Sequence, residues 1–163
     1  MTKTGQEQQQ TSVRRPNILL LQGPNMNWLG RRQPELYGHT TASQLDDLCL
    51  SHAEETGYDL DIFYTNSEGA ALDHIYALME REALDGLVMN PAGWSVGGGS
   101  SMRFCLMSID RPYIEVHIRN QYKMQNVSTL ADLADGVIQG LGIDSYLLAL
   151  DGMYRLLTSV APD

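Results

Sequence analysis

Apolar positions along the chain fall into two alternating kinds of run. Asn17 to Gln22 (NILLLQ) and Gly86 to Asn90 (GLVMN) are short and nearly unbroken, the profile of strands buried on both faces in a parallel sheet. Asp59 to Thr65, Tyr113 to Ile118 (YIEVHI) and Gly136 to Leu141 read as three further strands. Between them the period lengthens. Thr41 to Glu55 spaces Leu45, Leu48, Cys49 and His52 at helical intervals, with Gly57 following as a C-cap. Gly69 to Ala83 sets Leu72, Ile75, Tyr76 and Met79 on one stripe, Ser100 to Ser108 is a third helix, and Ile143 to Leu157 closes the chain as an apolar helix.

Strands alternating with helices imply right-handed crossovers and helices on both faces of a parallel sheet. The expected fold is α/β, a flavodoxin-like three-layer sandwich with a five-stranded parallel sheet of order 2-1-3-4-5. Neither an internal repeat nor an interdomain linker interrupts it, so residues 16–158 are expected to form one domain. In such sheets ligands bind beyond the carboxyl ends of the strands, where the strand order reverses. The loops after strands one, three and four are therefore where chemistry is expected.

Composition narrows the classes of partner. Residues 1–15 are Gln-rich and nearly free of apolar side chains, the signature of a disordered tail. A net charge of -9, with only 11 Lys and Arg in 163 residues, argues against nucleic acid and for a small-molecule substrate. Cys49 and Cys105 lack CxxC spacing and read as buried apolar residues rather than a bridge. No apolar run approaches the roughly 18 residues of a membrane span, and the N-terminus lacks the apolar core of a secretory signal, so a cytoplasmic, membrane-free location is expected. His39, His52 and His74 fall on a loop and two helices without ligand spacing; no metal is expected.

The loop after strand one, Gly23 to Gly38 (GPNMNWLGRRQPELYG), is dense in polar groups interrupted by apolar anchors, a composition common in functional loops. A tyrosine in water has a pKa near 10, so service as a base at neutral pH costs about 4 kcal/mol, which an Arg within roughly 4–6 Å largely offsets. Arg32, five residues before Tyr37, suits that purpose. After strand three, Asn90 places an amide at a strand end, either to orient a water or an oxyanion or to form an Asx turn before Pro91. In Ile114-Glu115-Val116-His117 the two polar residues stand at i and i+2 on one side of an apolar strand, where the carboxylate fixes the imidazole tautomer and raises its proton affinity. Gly97-Gly98-Gly99-Ser100-Ser101 precedes a helix and reads as a flexible substrate loop ahead of an anion cradle.

Five segments in order resemble the type II 3-dehydroquinate dehydratases, from about Asn17 to Leu157. QGPNMNWLGRRQPELYG is similar to that family's NGPNLNxLGxRxPxxYG, TNSEG to SNHEG, DGLVMNPAGW to DGIVINPGAY and IEVHIRN to VEVHxSN; GLGIDSYLLAL completes the set. The resemblance implies cofactor-free elimination of water through an enolate. Tyr37 would be the base, Arg32 the cation that makes it basic, His117 the acid and Glu115 the carboxylate beside it, with Asn25 and Asn90 holding a catalytic water and the His region. It also implies a homo-oligomer, trimers assembled into a dodecamer.

The chain departs from the family pattern where substrate would be held. Arg119 stands where the family has a Ser that helps bind the substrate carboxylate, and a family His is replaced around Val96 or Gly97. Gln121 to Gln125 rewrites a stretch carrying another substrate-binding Arg. Arg103 keeps its helix position, followed by Phe104 in place of an acid. Candidate substrate-binding residues are thus Asn90, Trp94, Val96, Arg103, Ile118 and Arg119. Three readings stay open: dehydration of 3-dehydroquinate or a related polar ketone; the same Tyr, Arg and His acting on a less hydroxylated substrate, with Trp94, Val96, Phe104 and Met124 lining its pocket; and a non-catalytic binding protein.

Overall fold

Five parallel strands form one sheet in the order β2-β1-β3-β4-β5. They are β1 (Asn17–Gln22), β2 (Asp59–Tyr64), β3 (Gly86–Asn90), β4 (Tyr113–His117) and β5 (Gly136–Gln139) in a computed structural model that describes residues 14–159. Helices α1 (Pro34–Tyr37), α2 (Ala42–Thr56), α3 (Glu68–Glu80), α4 (Trp94–Gly97), α5 (Ser100–Ser108) and α6 (Asp144–Thr158) fill the connections. This is the expected flavodoxin-like α/β sandwich and strand order. Residues 1–13 of the expected tail lie outside the described residues. Arg14 and Arg15, its last two, are anchored: Arg14 donates to both carboxylate oxygens of Asp85 (2.7 and 2.9 Å) and Arg15 to Glu54 (3.0 Å).

Burial explains the order. β1, β3 and β4 are buried almost throughout and occupy the centre, whereas Asp59 and Asp61 in β2 and Val137 in β5 reach solvent at the two edges. Alternate residues of each strand serve opposite layers, because successive side chains of a strand point to opposite faces. Ile18, Leu20, Val88, Ile114 and Val116 pack against α2 and α6, while Leu19, Leu21, Leu87 and Met89 pack against α3 and α5. Each such side chain contributes about 1.5–3 kcal/mol by leaving water.

Helix α6 buries Tyr146, Ala149, Leu150 and Met153, spaced i, i+3, i+4, i+7. Helix α2 begins with a capping box between Thr41 and Gln44 and ends at Gly57, whose φ of 100° gives the left-handed turn that glycine accommodates best. The buried faces differ from the expected stripes in two places. In α2 the inward residues are Leu45, Cys49 and Ala53, and Leu48 is half exposed. In α3 they are Ala71, Ile75 and Leu78, while Tyr76 turns outward. Small alanines complete both faces, and they are silent when a stripe is traced through large side chains alone. Both cysteines are free and buried. Among the described residues no helix is long and apolar enough to cross a membrane.

Candidate active site

The sheet order reverses between β1 and β3, and there the two strands end in polar residues that have no water to bond to: Gln22 and Asn90 are buried. A side chain from α6 links them, although Gln22 Nε2 itself stays buried without a partner among the described residues. Asn90 Nδ2 donates to the Tyr146 hydroxyl (2.8 Å), which donates to Gln22 Oε1 (2.9 Å). Burial raises the Tyr146 phenol above its ordinary range, so it remains protonated and able to donate. Asn90 Oδ1 accepts from the backbone N–H of Ala92 (3.1 Å), the Asx turn, so the one amide both turns the chain and closes this network. Gly23 donates to the Asn90 carbonyl (2.9 Å) across the switch point, and a Cβ there would meet the Pro91 oxygen at 2.7 Å. Only glycine permits the two backbones to approach so closely.

Above this floor opens a cleft of about 350 Å³, lined by Met26, Arg32, Leu36, Tyr37, Asn90, Val96, His117, Ile118, Arg119 and Met124 among others. One wall is the end of β4. His117 Nε2 lies 2.7 Å from Glu115 Oε1, and the other carboxylate oxygen accepts from the Tyr113 hydroxyl (2.9 Å) and from Ser128 Oγ (3.0 Å). Glu115 is wholly buried, so these three donors replace its hydration. Desolvation and the adjacent Glu115 push the Tyr113 phenol well above its ordinary range, which keeps it a donor. With two donors fixed on Oε2, the carboxylate acts as an acceptor throughout, so Nε2 of His117 carries hydrogen and Nδ1 is left for another partner. Behind the pair, the carbonyls of His117 and Ile118 accept from Gly140 and Gly142, which stitches the strand end to the segment before α6.

The opposite wall is the loop after β1. Its turn at Leu29 is buried, and Pro34 starts the single helical turn α1 that ends at Tyr37. The Arg32 guanidinium carbon sits 5.6 Å from the centroid of the Tyr37 ring, a cation-π distance. Arg119 reaches across from the segment after β4, its Nη1 donating to the Leu36 carbonyl (2.9 Å). The cleft therefore collects Arg32, Tyr37, Asn90, Val96, His117, Ile118 and Arg119 from the sequence-derived set, together with Met124. Its lining includes two guanidiniums and an imidazole but no carboxylate of its own.

Other residues of that set lie elsewhere. Asn25 is exposed in a left-handed conformation (φ 67°), and its backbone N–H donates to Asn66 Oδ1 (2.7 Å); its side chain is not part of the cleft lining. Trp94, the first residue of α4, is buried in the second core layer, so Val96, two residues on, is the one that faces the cleft. Arg103 is engaged by Asp132, two bonds of 2.7 Å each, and by the Thr129 carbonyl (2.8 Å), away from the cleft. Phe104 is 68% exposed on the outer side of α5. The helix N-terminus after Gly97-Gly98-Gly99 is not free for an anion, because Glu68 Oε1 already accepts from the Met102 N–H (2.7 Å). Sequence reasoning missed Tyr113, Ser128 and Tyr146. Tyr113 carried a usable signal, since it occupies the same face of β4 as Glu115 and His117. Among the described residues no three His, Cys, Asp or Glu converge as a metal-holding group.

A parallel α/β sandwich with a polar cleft at its switch point is a flavodoxin-like scaffold with its working face at the carboxyl edge. Within that class the chain belongs to a particular family: the model described as Dehydroquinase class II matches residues 16–154, which makes this a carbon-oxygen lyase. The chain is 40% identical over 144 residues to catabolic 3-dehydroquinase 1 of Fusarium vanettenii, covering 86% of this chain and 98% of that one. It is 39% identical over 137 residues to the 3-dehydroquinate dehydratase of Herminiimonas arsenicoxydans, covering 82% and 93%. The crystal structure of the type II dehydroquinase from Propionibacterium acnes superposes with a TM-score of 0.78 at 31% identity, over 88% of this chain and 99% of that one.

Proposed function

We propose that the protein dehydrates 3-dehydroquinate without a cofactor. Tyr37, as the phenolate, removes the proton alpha to the ketone; the C–H electrons move into an enolate. As the enolate collapses, the carbon-oxygen bond to the departing hydroxyl breaks, His117 delivers a proton to that oxygen, and water and an enone leave. Tyr37 then holds one proton and His117 has lost one, so proton exchange with solvent resets the site. Arg32 stabilises the phenolate from the ring face, and Glu115 keeps the imidazole oriented. The observation that carries the reading is that one cleft holds the Arg32–Tyr37 pair on one wall and the buried Glu115–His117 pair on the other.

The test is direct: mix the protein with 3-dehydroquinate and follow the rise of conjugated-enone absorbance. Turnover at enzymatic rates, lost in both Tyr37→Phe and His117→Ala, supports the assignment; turnover that survives both substitutions removes it. A second reading rests on the apolar part of the cleft, where Leu36, Val96, Ile118 and Met124 face the substrate position. Such a wall favours a less hydroxylated ketone processed by the same Tyr and His, because an unpaired hydroxyl against it costs about 1–3 kcal/mol. A kcat/KM higher for a deoxygenated analogue than for 3-dehydroquinate decides for it.

A further inference from the structure

The two walls of the cleft are built very differently. The β4 wall is part of the sheet, buried, and bonded through the His117 and Ile118 carbonyls to Gly140 and Gly142. The wall carrying Arg32 and Tyr37 is a surface loop whose backbone hydrogen bonds are local: Arg31 and Arg32 donate to Trp28, Leu36 and Tyr37 to Gln33, Gly38 to Pro34. Among the described residues, one hydrogen bond joins residues 31–38 to any segment outside that loop, and it is the bond from Arg119 Nη1 to the Leu36 carbonyl (2.9 Å). Leu36 immediately precedes Tyr37, and Arg119 follows His117 by two residues. Segments 83 residues apart in the chain are thus pinned together beside the two groups that must cooperate.

We infer that Arg119 is a positioning residue, a strut that holds the Tyr37 loop in register with His117, and that its first task is not to grip the substrate. The inference rests on the proposed use of Tyr37 and His117 as the reacting pair. The chemistry of the contact suits the role. A guanidinium donates in a fixed plane to a carbonyl at the end of a helical turn, where the carbonyls lack partners within the helix. Among the described residues no carboxylate lies within ion-pair distance of Arg119 to draw it elsewhere. A loop held by few tertiary bonds opens at low free energy, so loss of this one shifts its population toward open forms. Because misplacement of a reacting group by about 1 Å can cost on the order of 100-fold in rate, the effect is expected in kcat.

The experiment compares wild type, Arg119→Met and Arg119→Lys in two assays. Trypsin cleavage after Arg31 or Arg32, followed by mass spectrometry in the absence of substrate, reads the loop alone. It is expected to be roughly tenfold faster in R119M and intermediate in R119K, since the lysine retains a donor. With 3-dehydroquinate, kcat is expected to fall about 10- to 100-fold in R119M while KM changes less than about threefold. Unchanged cleavage in R119M overturns the inference, and so does a rise in KM at constant kcat, the mark of a substrate-anion grip. If wild type does not turn over 3-dehydroquinate, the proposed function fails while the trypsin result still decides whether Arg119 holds the loop.

Discussion

Replacing Glu115 by Gln tests whether the buried carboxylate acts on catalysis through His117. Glutamine keeps the shape of the side chain, and its amide oxygen can still accept from Tyr113 and Ser128, now at 2.9 and 3.0 Å. Its NH2 group then faces His117 Nε2 at the 2.7 Å contact. An imidazolium carries hydrogen on both nitrogens, so in the variant it meets a donor where it had a charged acceptor. A hydrogen bond to a charged group is worth about 1.5–3 kcal/mol, and each 1.36 kcal/mol is tenfold in rate. The expected fall in kcat is thus roughly 10- to 150-fold for a step that depends on protonated His117, with KM held within about threefold. The assay is steady-state enone formation between pH 6 and 9, alongside thermal melting to confirm folding. A folded E115Q with wild-type kcat would refute the claim that Glu115 holds the imidazolium.

Other expectations follow from burial and close approach. The Cys49 thiol is pushed up to about 12 by desolvation and Cys105 is raised for the same reason, so native protein is expected not to react with a disulfide reagent at pH 8 while urea releases two thiols; stoichiometric native labelling would contradict this. The same shift makes stability fall with rising pH. The contribution is complete below pH 9, where Cys49 is protonated folded or unfolded, and up to about 4 kcal/mol is lost as pH climbs from 9 to about 12, measurable by urea titration at stepped pH. Tyr146→Phe removes the bridge between Gln22 and Asn90 and should cost about 2–4 kcal/mol in chemical denaturation. Gly23→Ala forces a Cβ onto the Pro91 and Asn90 carbonyl oxygens at 2.7 and 2.9 Å, so a cost of about 1–3 kcal/mol and a melting point several degrees lower are expected by calorimetry.

What the sequence discloses depends on how local the cause is. The bounds of β1, β3 and α5 follow from runs that are apolar for reasons of their own burial, and the structure places them where the runs begin and end. β5 stops at Gln139 instead of Leu141 because Gly140 and Gly142, at φ 90° and 65°, turn back to serve the end of β4. The Glu115–His117 contact was legible because a period of two puts both on one face. Trp94 and Arg103 were assigned to the cleft by resemblance, and one is drawn into the core while the other is drawn to Asp132. The contact of Arg119 with Leu36 had no local sign at all, since it depends on how two distant loops meet over a finished sheet.

The bridge from Gln22 through Tyr146 to Asn90 ties β1, α6 and β3 together at the floor of the cleft, and of its three members Asn90 alone reaches the lining. Folding is therefore secured beneath the site, independently of what surrounds its mouth. Val96 and residues 120–126 can vary without reopening the problem of how β1, β3 and α6 fit together. A library that randomises those positions while preserving the bridge, Glu115 and Arg119 is the economical way to seek new substrate preferences on this frame, and divergence among natural relatives should concentrate in the same places.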